Sequence, residues 1–282
     1  VSMATRREVL NILCSAAKKC YDDVEARQIA EMILMAKGQL SRNDIIVEPN
    51  REVDIDDLDD IVAQLKSWQP VQYIIGRADF MDMELEVSDA VLIPRPETEE
   101  LVMWVAEECA PGSRILDVGT GSGCIAIGVA RSVSDAKVSA IDISDAALAV
   151  ARRNGERYAP TVEFVRGDAL SAFDVLFDEK FDVVVSNPPY IPQQDIALMR
   201  PNVVDYEPHM ALFVPDNDPL IFYRSIARTS RRLLNTGGRL YFEIYELLAD
   251  EMRDMLLAEG YVDVTVREDF RGKQRMICAK IG

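Results

Sequence analysis

Arg114-Ile115-Leu116-Asp117-Val118-Gly119-Thr120-Gly121-Ser122-Gly123 is the stretch on which the fold turns. Its first half is a short, largely apolar run of strand character that ends in a glycine-rich turn, and residues 124–133 read as a helix. Gly119 and Gly121 permit a tight turn and let a ligand approach the backbone closely. The following helix points its free N–H groups at the same place. The spacing is G-x-G-x-G. A dinucleotide fingerprint would put a third glycine at position 124, where this chain has Cys124, and that weakens an NAD reading.

Outward from this loop the chain alternates. Strands are expected at residues 138–141, 162–165, 181–186 and 238–244, with helices at 98–109, 145–158, 220–234 and 247–259 between or before them. Two strands close the chain, at 261–266 and 276–281, with no helix between them. Such alternation predicts an α/β fold: a parallel sheet covered on both faces, with an antiparallel hairpin at one side. Upstream, residues 80–93 alternate like strand, with Ser88-Asp89 as the expected turn of a hairpin. Residues 1 to about 75 carry helical spacing, as in Val9, Ile12, Leu13 and Ala16, and another helix is expected to open at Asp54-Ile55-Asp56-Asp57-Leu58. The expected organisation is a helical domain over 1–77, a hairpin linker over 78–97 and a sheet domain over 98–282.

Ligand chemistry is placed at three strand ends, since open α/β sheets bind ligands at the carboxyl ends of their strands. The second strand ends at Asp142, suited to accept hydrogen bonds from ribose hydroxyls of either NAD or S-adenosylmethionine. The third ends at Gly167-Asp168-Ala169, where Asp168 either accepts from an adenine amino group or acts as a turn or helix-capping acid. The fourth, Phe181-Asp182-Val183-Val184-Val185-Ser186, runs into Asn187-Pro188-Pro189-Tyr190. Neither proline donates a backbone hydrogen bond, and each fixes its own φ. The chain is held extended there with carbonyls free, flanked by an Asn amide and a Tyr ring, a set that suits a planar NH2 group. A Pro-rich turn closing a strand is the competing reading.

Composition narrows the field. The chain has 282 residues, 49% of them hydrophobic, enough for a sizeable core in one or two domains. No run approaches the roughly 20 apolar residues of a membrane span, and no apolar signal segment precedes Arg6, Arg7 and Glu8, so a soluble cytoplasmic protein is expected. The formal net charge of −17 argues against holding nucleic acid by neutralising phosphates. Five scattered cysteines without a C-x-x-C and a single histidine, His209, make a zinc site and His-based catalytic schemes poor readings. No metal is expected.

The ordered set of G-x-G-x-G, second-strand acid and Asn-Pro-Pro-Tyr resembles the class I methyltransferases that modify planar amide or amino nitrogens. Tyr73-Ile74-Ile75-Gly76 and Leu92-Ile93-Pro94-Arg95-Pro96-Glu97-Thr98-Glu99 narrow the resemblance to the protein-(glutamine-N5) methyltransferases of peptide chain release factors, as do Glu207-Pro208 with Ala211-Leu212 and Gly237-Gly238. The resemblance implies a helical N-terminal domain, a hairpin linker and a Rossmann-like seven-stranded methyltransferase domain. It implies S-adenosyl-L-methionine as cofactor, with S-adenosyl-L-homocysteine as product. Gly119, Thr120, Gly121, Ser122 and Gly123 would hold its methionine part, Asp142 its ribose, and Asp168 and Ala169 its adenine, with Asn187 touching both cofactor and substrate. Ala169 stands where family members often carry an aromatic, which leaves the adenine contact to Leu170 or another residue. Asn187, Pro188, Pro189 and Tyr190 would form the substrate pocket, with Asn187 and the Pro188 carbonyl accepting the amide hydrogens and Tyr190 packing on the amide plane. Arg95 and Glu97 are read either as a pair pinning the linker or as substrate contacts. The implied partner is a release factor, met by a monomer in the cytoplasm without nucleic acid or membrane. Three rivals stay open: glutamine methylation of a ribosomal protein, adenine-N6 methylation of a flipped base, and a non-catalytic cofactor-binding scaffold.

Overall fold

The computed structural model describes residues 4–282, and the chain divides into two compact units. One comprises the chain up to Arg77 together with Arg200–Tyr206; the other comprises Ala78–Met199 and Glu207–Gly282. The segment Arg200–Tyr206 was expected within the sheet domain. The hairpin expected as a separate linker groups with the sheet unit from Ala78 onward.

In the helical unit, β1 (Ala4–Thr5) leads into α1 (Arg6–Ala17), α2 (Asp23–Gly38) and α3 (Arg42–Val47). β2 (Glu52–Val53), α4 (Leu58–Lys66) and α5 (Val71–Ile75) follow. The β1–β2 bridge lies in a stretch read as helical, and α4 opens at Leu58 rather than Asp54. Thr5 caps α1 in a reciprocal capping box with Glu8, which satisfies two backbone N–H groups. The Arg6 guanidinium, almost fully buried, donates to the Asp44 carbonyl at 2.7 Å and pairs with Glu48, tying α3 to α1. Leu13, Ile33, Leu34, Ile61 and Leu65 are buried together at the centre of this unit.

The sheet unit begins with a hairpin, β3 (Arg77–Phe80) and β4 (Met83–Glu86). Its turn is at Met81-Asp82, where Met81 takes φ 53°, and not at Ser88-Asp89. Then come α6 (Pro96–Glu108), β5 (Arg114–Val118), α7 (Cys124–Ser132), β6 (Lys137–Asp142), α8 (Asp145–Tyr158), β7 (Glu163–Arg166) and β8 (Phe181–Ser186). β9 (Ile191–Pro192) precedes α9 (Pro201–Val204), which groups with the helical unit. The chain ends with β10 (Phe213–Val214), α10 (Ile221–Leu233), β11 (Leu234–Glu243), α11 (Ala249–Ala258), β12 (Tyr261–Glu268) and β13 (Gln274–Ile281).

Seven strands form one sheet in the order β12-β13-β11-β8-β5-β6-β7. β11, β8, β5, β6 and β7 run parallel, and β13 lies antiparallel between β11 and β12. Leu101, Val102 and Trp104 of α6 and Ile125 and Ile127 of α7 fill one apolar cluster, and Tyr223 and Ile226 of α10 and Met252 and Leu256 of α11 fill another. Central strands covered on both faces read as near-continuous apolar runs, as in β8, where Val183, Val184 and Val185 are buried and only Asp182 is less than fully buried. The hairpin is fastened by α8. The Asn154 amide accepts from the Glu86 N–H at 2.7 Å and donates to the Glu86 carbonyl at 3.0 Å, and the Tyr158 hydroxyl engages both backbone groups of Glu84.

Candidate active site

Strand order reverses between β5 and β8: the chain runs outward through β6 and β7, then returns to the other side of β5. The crevice beyond the carboxyl ends of those two strands is where an open α/β sheet binds its ligand. The Ser186 hydroxyl, buried, donates to the Val118 carbonyl at 2.5 Å and locks the two ends together. The glycine loop and the Asn187 tetrapeptide therefore leave the sheet side by side.

A cavity of about 330 Å³ opens there. Gly119, Thr120, Gly121, Ser122, Asp142, Asp168, Ala169, Asn187, Pro188 and Pro189 all line it, so residues nominated from four separate strand ends meet in one space. Gly123 lies outside the lining: it caps α7 with φ 85°, and a Cβ there would meet the Ala151 side chain at 3.3 Å. Gly119 and Gly121 take φ 77° and 54°, which disfavours other residues, and a Cβ on either meets nothing within 4 Å. The loop is clipped to the end of β6, because Gly119 and Thr120 both donate to the Ile141 carbonyl.

Asp142 completes the clip, accepting from the Gly121 N–H on one oxygen and the Ser144 N–H on the other, each at 2.9 Å. Each oxygen keeps a lone pair for a further donor such as a ribose hydroxyl. Burial raises its pKa. Ser122 lines the cavity with its hydroxyl buried beside the Cys124 thiol. These features fit a cofactor with a ribose and a charged amino-acid tail. Beneath the loop, Asp117 is fully buried. One of its oxygens accepts from the Thr120 hydroxyl at 2.6 Å and the Ala126 N–H at 3.2 Å, while the other has no partner. Burial pushes its pKa up to about 7. Asp168 lines the cavity and also forms a turn, accepting from the Leu170 N–H at 2.8 Å. The turn is the second of the two roles read for Asp168 in the sequence.

Behind the tetrapeptide lies a polar network. The Asn187 amide nitrogen donates to Thr98 Oγ1 at 3.4 Å, and Thr98, in the first turn of α6, donates to Glu243 Oε2 at 2.6 Å. Tyr190 Oη lies 3.4 Å from Glu243 Oε1. Its ring stacks on Tyr245 at 6.0 Å, and it lies outside the cavity lining. Arg95 pairs with Glu207 and not with Glu97; Glu207, buried, also accepts from the Ile93 N–H at 3.1 Å. Among the described residues, no group of three or more His, Cys, Asp or Glu is placed to hold a metal ion.

Residues 97–202 match the methyltransferase small domain, and residues 12–76 match the PrmC N-terminal domain. A release factor glutamine methyltransferase of Flavobacterium psychrophilum is 40% identical over 270 residues, 93% of this chain and 94% of that one. The chain belongs to the release factor glutamine methyltransferase family. Another member of this family, from Bacteroides thetaiotaomicron, is 47% identical over 223 residues, 79% of this chain and 80% of its own. A methyltransferase from Pyrococcus furiosus, 20% identical, superposes with a TM-score of 0.53 over 71% of this chain and 89% of that one, a likeness of fold. The family resemblance read from the motifs agrees with these matches.

Three residues near the site escaped the sequence reading. Thr98 sat inside a motif quoted for the family resemblance, and Glu243 lay inside the apolar strand expected over 238–244. Phe222 lines the cavity from α10, a helix whose Ser225 hydroxyl donates to the Ala169 carbonyl at 2.7 Å. The one signal available for Glu243 was an acid embedded in Leu240-Tyr241-Phe242-Glu243-Ile244, since buried carboxylates are rare without a partner.

Proposed function

We propose that this chain transfers a methyl group from S-adenosylmethionine to the side-chain amide nitrogen of a glutamine in a peptide chain release factor, within a Gly-Gly-Gln loop. The observation that carries the reading is the shared cavity: Asn187, Pro188 and Pro189 line the same space as the glycine loop and Asp142. Bound there, S-adenosylmethionine would supply an activated methyl carbon on sulfonium sulfur, to be taken by the amide nitrogen with S-adenosylhomocysteine as the product.

The chain's own residues supply position and polarity. Gly119, Thr120, Gly121, Ser122 and Gly123 hold or shape the site of the methionine part, Asp142 takes the ribose, and Asp168, Ala169 and Phe222 border the adenine. An amide nitrogen is a poor nucleophile because its lone pair is delocalised into the carbonyl. Asn187 Oδ1 and the Pro188 carbonyl accept its two hydrogens, which aims the nitrogen and favours the positive charge that grows on it. The departing proton passes to water. Pro189 stiffens the pocket, and Tyr190, anchored by Tyr245 and Glu243, backs it rather than covering the amide. The helical unit recognises the release factor outside the modified loop. The chain acts in the cytoplasm, where translation takes place.

The test is incubation with labelled S-adenosylmethionine and purified release factors, followed by mass mapping of the modified residue. Label on the Gly-Gly-Gln glutamine is expected. Label on a ribosomal protein or on nucleic acid, with none on release factors, would replace this reading. Asn187→Ala should lower the rate by orders of magnitude while S-adenosylhomocysteine still binds.

A further inference from the structure

We propose that Thr98 and Glu243 are positioning residues that fix which end of the Asn187 amide faces the substrate, so that the pocket accepts only hydrogen-bond donors. The inference rests on the role given to Asn187 above and adds what sets its orientation.

The two ends of an asparagine amide have nearly the same shape but opposite polarity, and their other partners decide which way round they sit. β8 and β11 are parallel neighbours with Phe242 opposite Ser186, so Asn187 and Glu243 leave adjacent strand ends together. Thr98 meets both. Its hydroxyl has one proton, and that proton goes to Glu243 Oε2 at 2.6 Å. Thr98 Oγ1 is then left with lone pairs, so the end of Asn187 it can take is the N–H end, 3.4 Å away. Oδ1 becomes the end of the amide that is free of Thr98, on a residue that lines the cavity.

Tyr190 repeats the logic from the other side, with its hydroxyl 3.4 Å from Glu243 Oε1. One buried carboxylate thus draws the protons of the Thr98 and Tyr190 hydroxyls. What remains for a substrate is a set of acceptors, Asn187 Oδ1 and the Pro188 carbonyl. A glutamine NH2 satisfies them, whereas a glutamate carboxylate brings oxygen against oxygen. A site built of buried acceptors discriminates strongly against a group that has no proton to offer.

The test is a double-mutant cycle on methyl transfer to a purified release factor, under single-turnover conditions with enzyme in excess. Thr98→Val keeps the shape and removes the hydroxyl. It should slow transfer about tenfold or more, the worth of a hydrogen bond, while S-adenosylhomocysteine affinity by calorimetry stays within about threefold. Thr98→Ser should restore the rate. In an Asn187→Ala background, Thr98→Val should have no further effect, because it acts through the amide.

Glu243→Gln is the second arm and serves where Thr98→Val does not fold. A carboxamide at 243 can donate to Thr98 and free the Thr98 proton to face Asn187, so it too should slow the Asn187 chain and leave Asn187→Ala unchanged. Serine rescue is read independently of any residual rate. An unchanged rate in both variants, serine as slow as valine, or the same fold-loss in both backgrounds would overturn the assignment. If Asn187→Ala itself is fast, the functional reading falls with it; if Asn187→Ala is slow and both variants are fast, only this assignment falls.

Discussion

Asp117 holds a carboxyl away from water directly under the glycine loop, with one oxygen unpaired. Folding raises its pKa from 3.8 to about 7 by burial, so the folded chain binds this proton more tightly than the unfolded one. Its contribution to stability is complete below the unfolded value and is lost as pH rises toward about 7. Thermal melts taken between about pH 5 and 8 should show Asp117→Asn losing less stability with rising pH than the unchanged chain. Glu243 sets a second pH effect. Burial raises its pKa, opposed by the Thr98 hydroxyl and by Arg275 on β13, with Glu97 of α6 adding to the rise and the Tyr190 hydroxyl opposing it. Protonation would let Glu243 give a proton to Thr98 instead of taking one. Transfer rate should therefore fall as pH drops, with a midpoint above the ordinary carboxylate range, and Glu243→Gln should flatten that limb in a pH–rate profile. At this scale the sequence was legible where chemistry is written in contiguous residues: the glycine loop, Asp142 and Asn187 all reach the cavity. Thr98 and Glu243 were not, because nothing in linear spacing pairs a helix's first turn with the end of a strand 145 positions away.

Helices and strands were largely legible from period and punctuation, and the misplaced elements have physical causes. The hairpin turn was assigned to Ser88-Asp89 because those are turn-forming types. The chain instead turns at Met81 in a left-handed conformation, a position side chains such as Met rarely adopt and therefore do not advertise. What holds the turn there is tertiary: the Met81 N–H donates to Glu99 at 2.6 Å, and α8 grips β4 through Asn154. Asn154 also donates to the Ser122 carbonyl at 2.9 Å, so one buried amide fastens both the hairpin and the glycine loop to α8. Asn154→Ala strands three backbone groups and should destabilise the chain by about 2–4 kcal/mol in chemical denaturation. It should also weaken S-adenosylhomocysteine binding measured by calorimetry, since the loop loses an anchor. A Tm drop with unchanged affinity would show that the loop holds itself.

Among the described residues, one apolar cluster lies in the helical unit and two lie in the sheet unit. A chain begun at residue 78 should still unfold cooperatively and bind S-adenosylhomocysteine, while methylation of a release factor falls steeply through KM; loss of cofactor binding would show that the sheet unit does not stand alone. The division near residue 77 was visible in the change from helical spacing to alternation. The return of Arg200–Tyr206 to the helical unit was not. That segment is held there by an Arg200–Glu25 ion pair and by Tyr206 donating to the Ser67 carbonyl at 2.6 Å, contacts no local pattern records. It gives the protein an order of manufacture. A nascent chain emerges from its N-terminus, so the helical unit, though first out of the exit tunnel, waits for its last piece until Tyr206 has been translated. By the time Tyr206 leaves the tunnel, β5 through β8 have emerged too, so the helical unit is completed part-way through the sheet unit, which still awaits β11, β12 and β13.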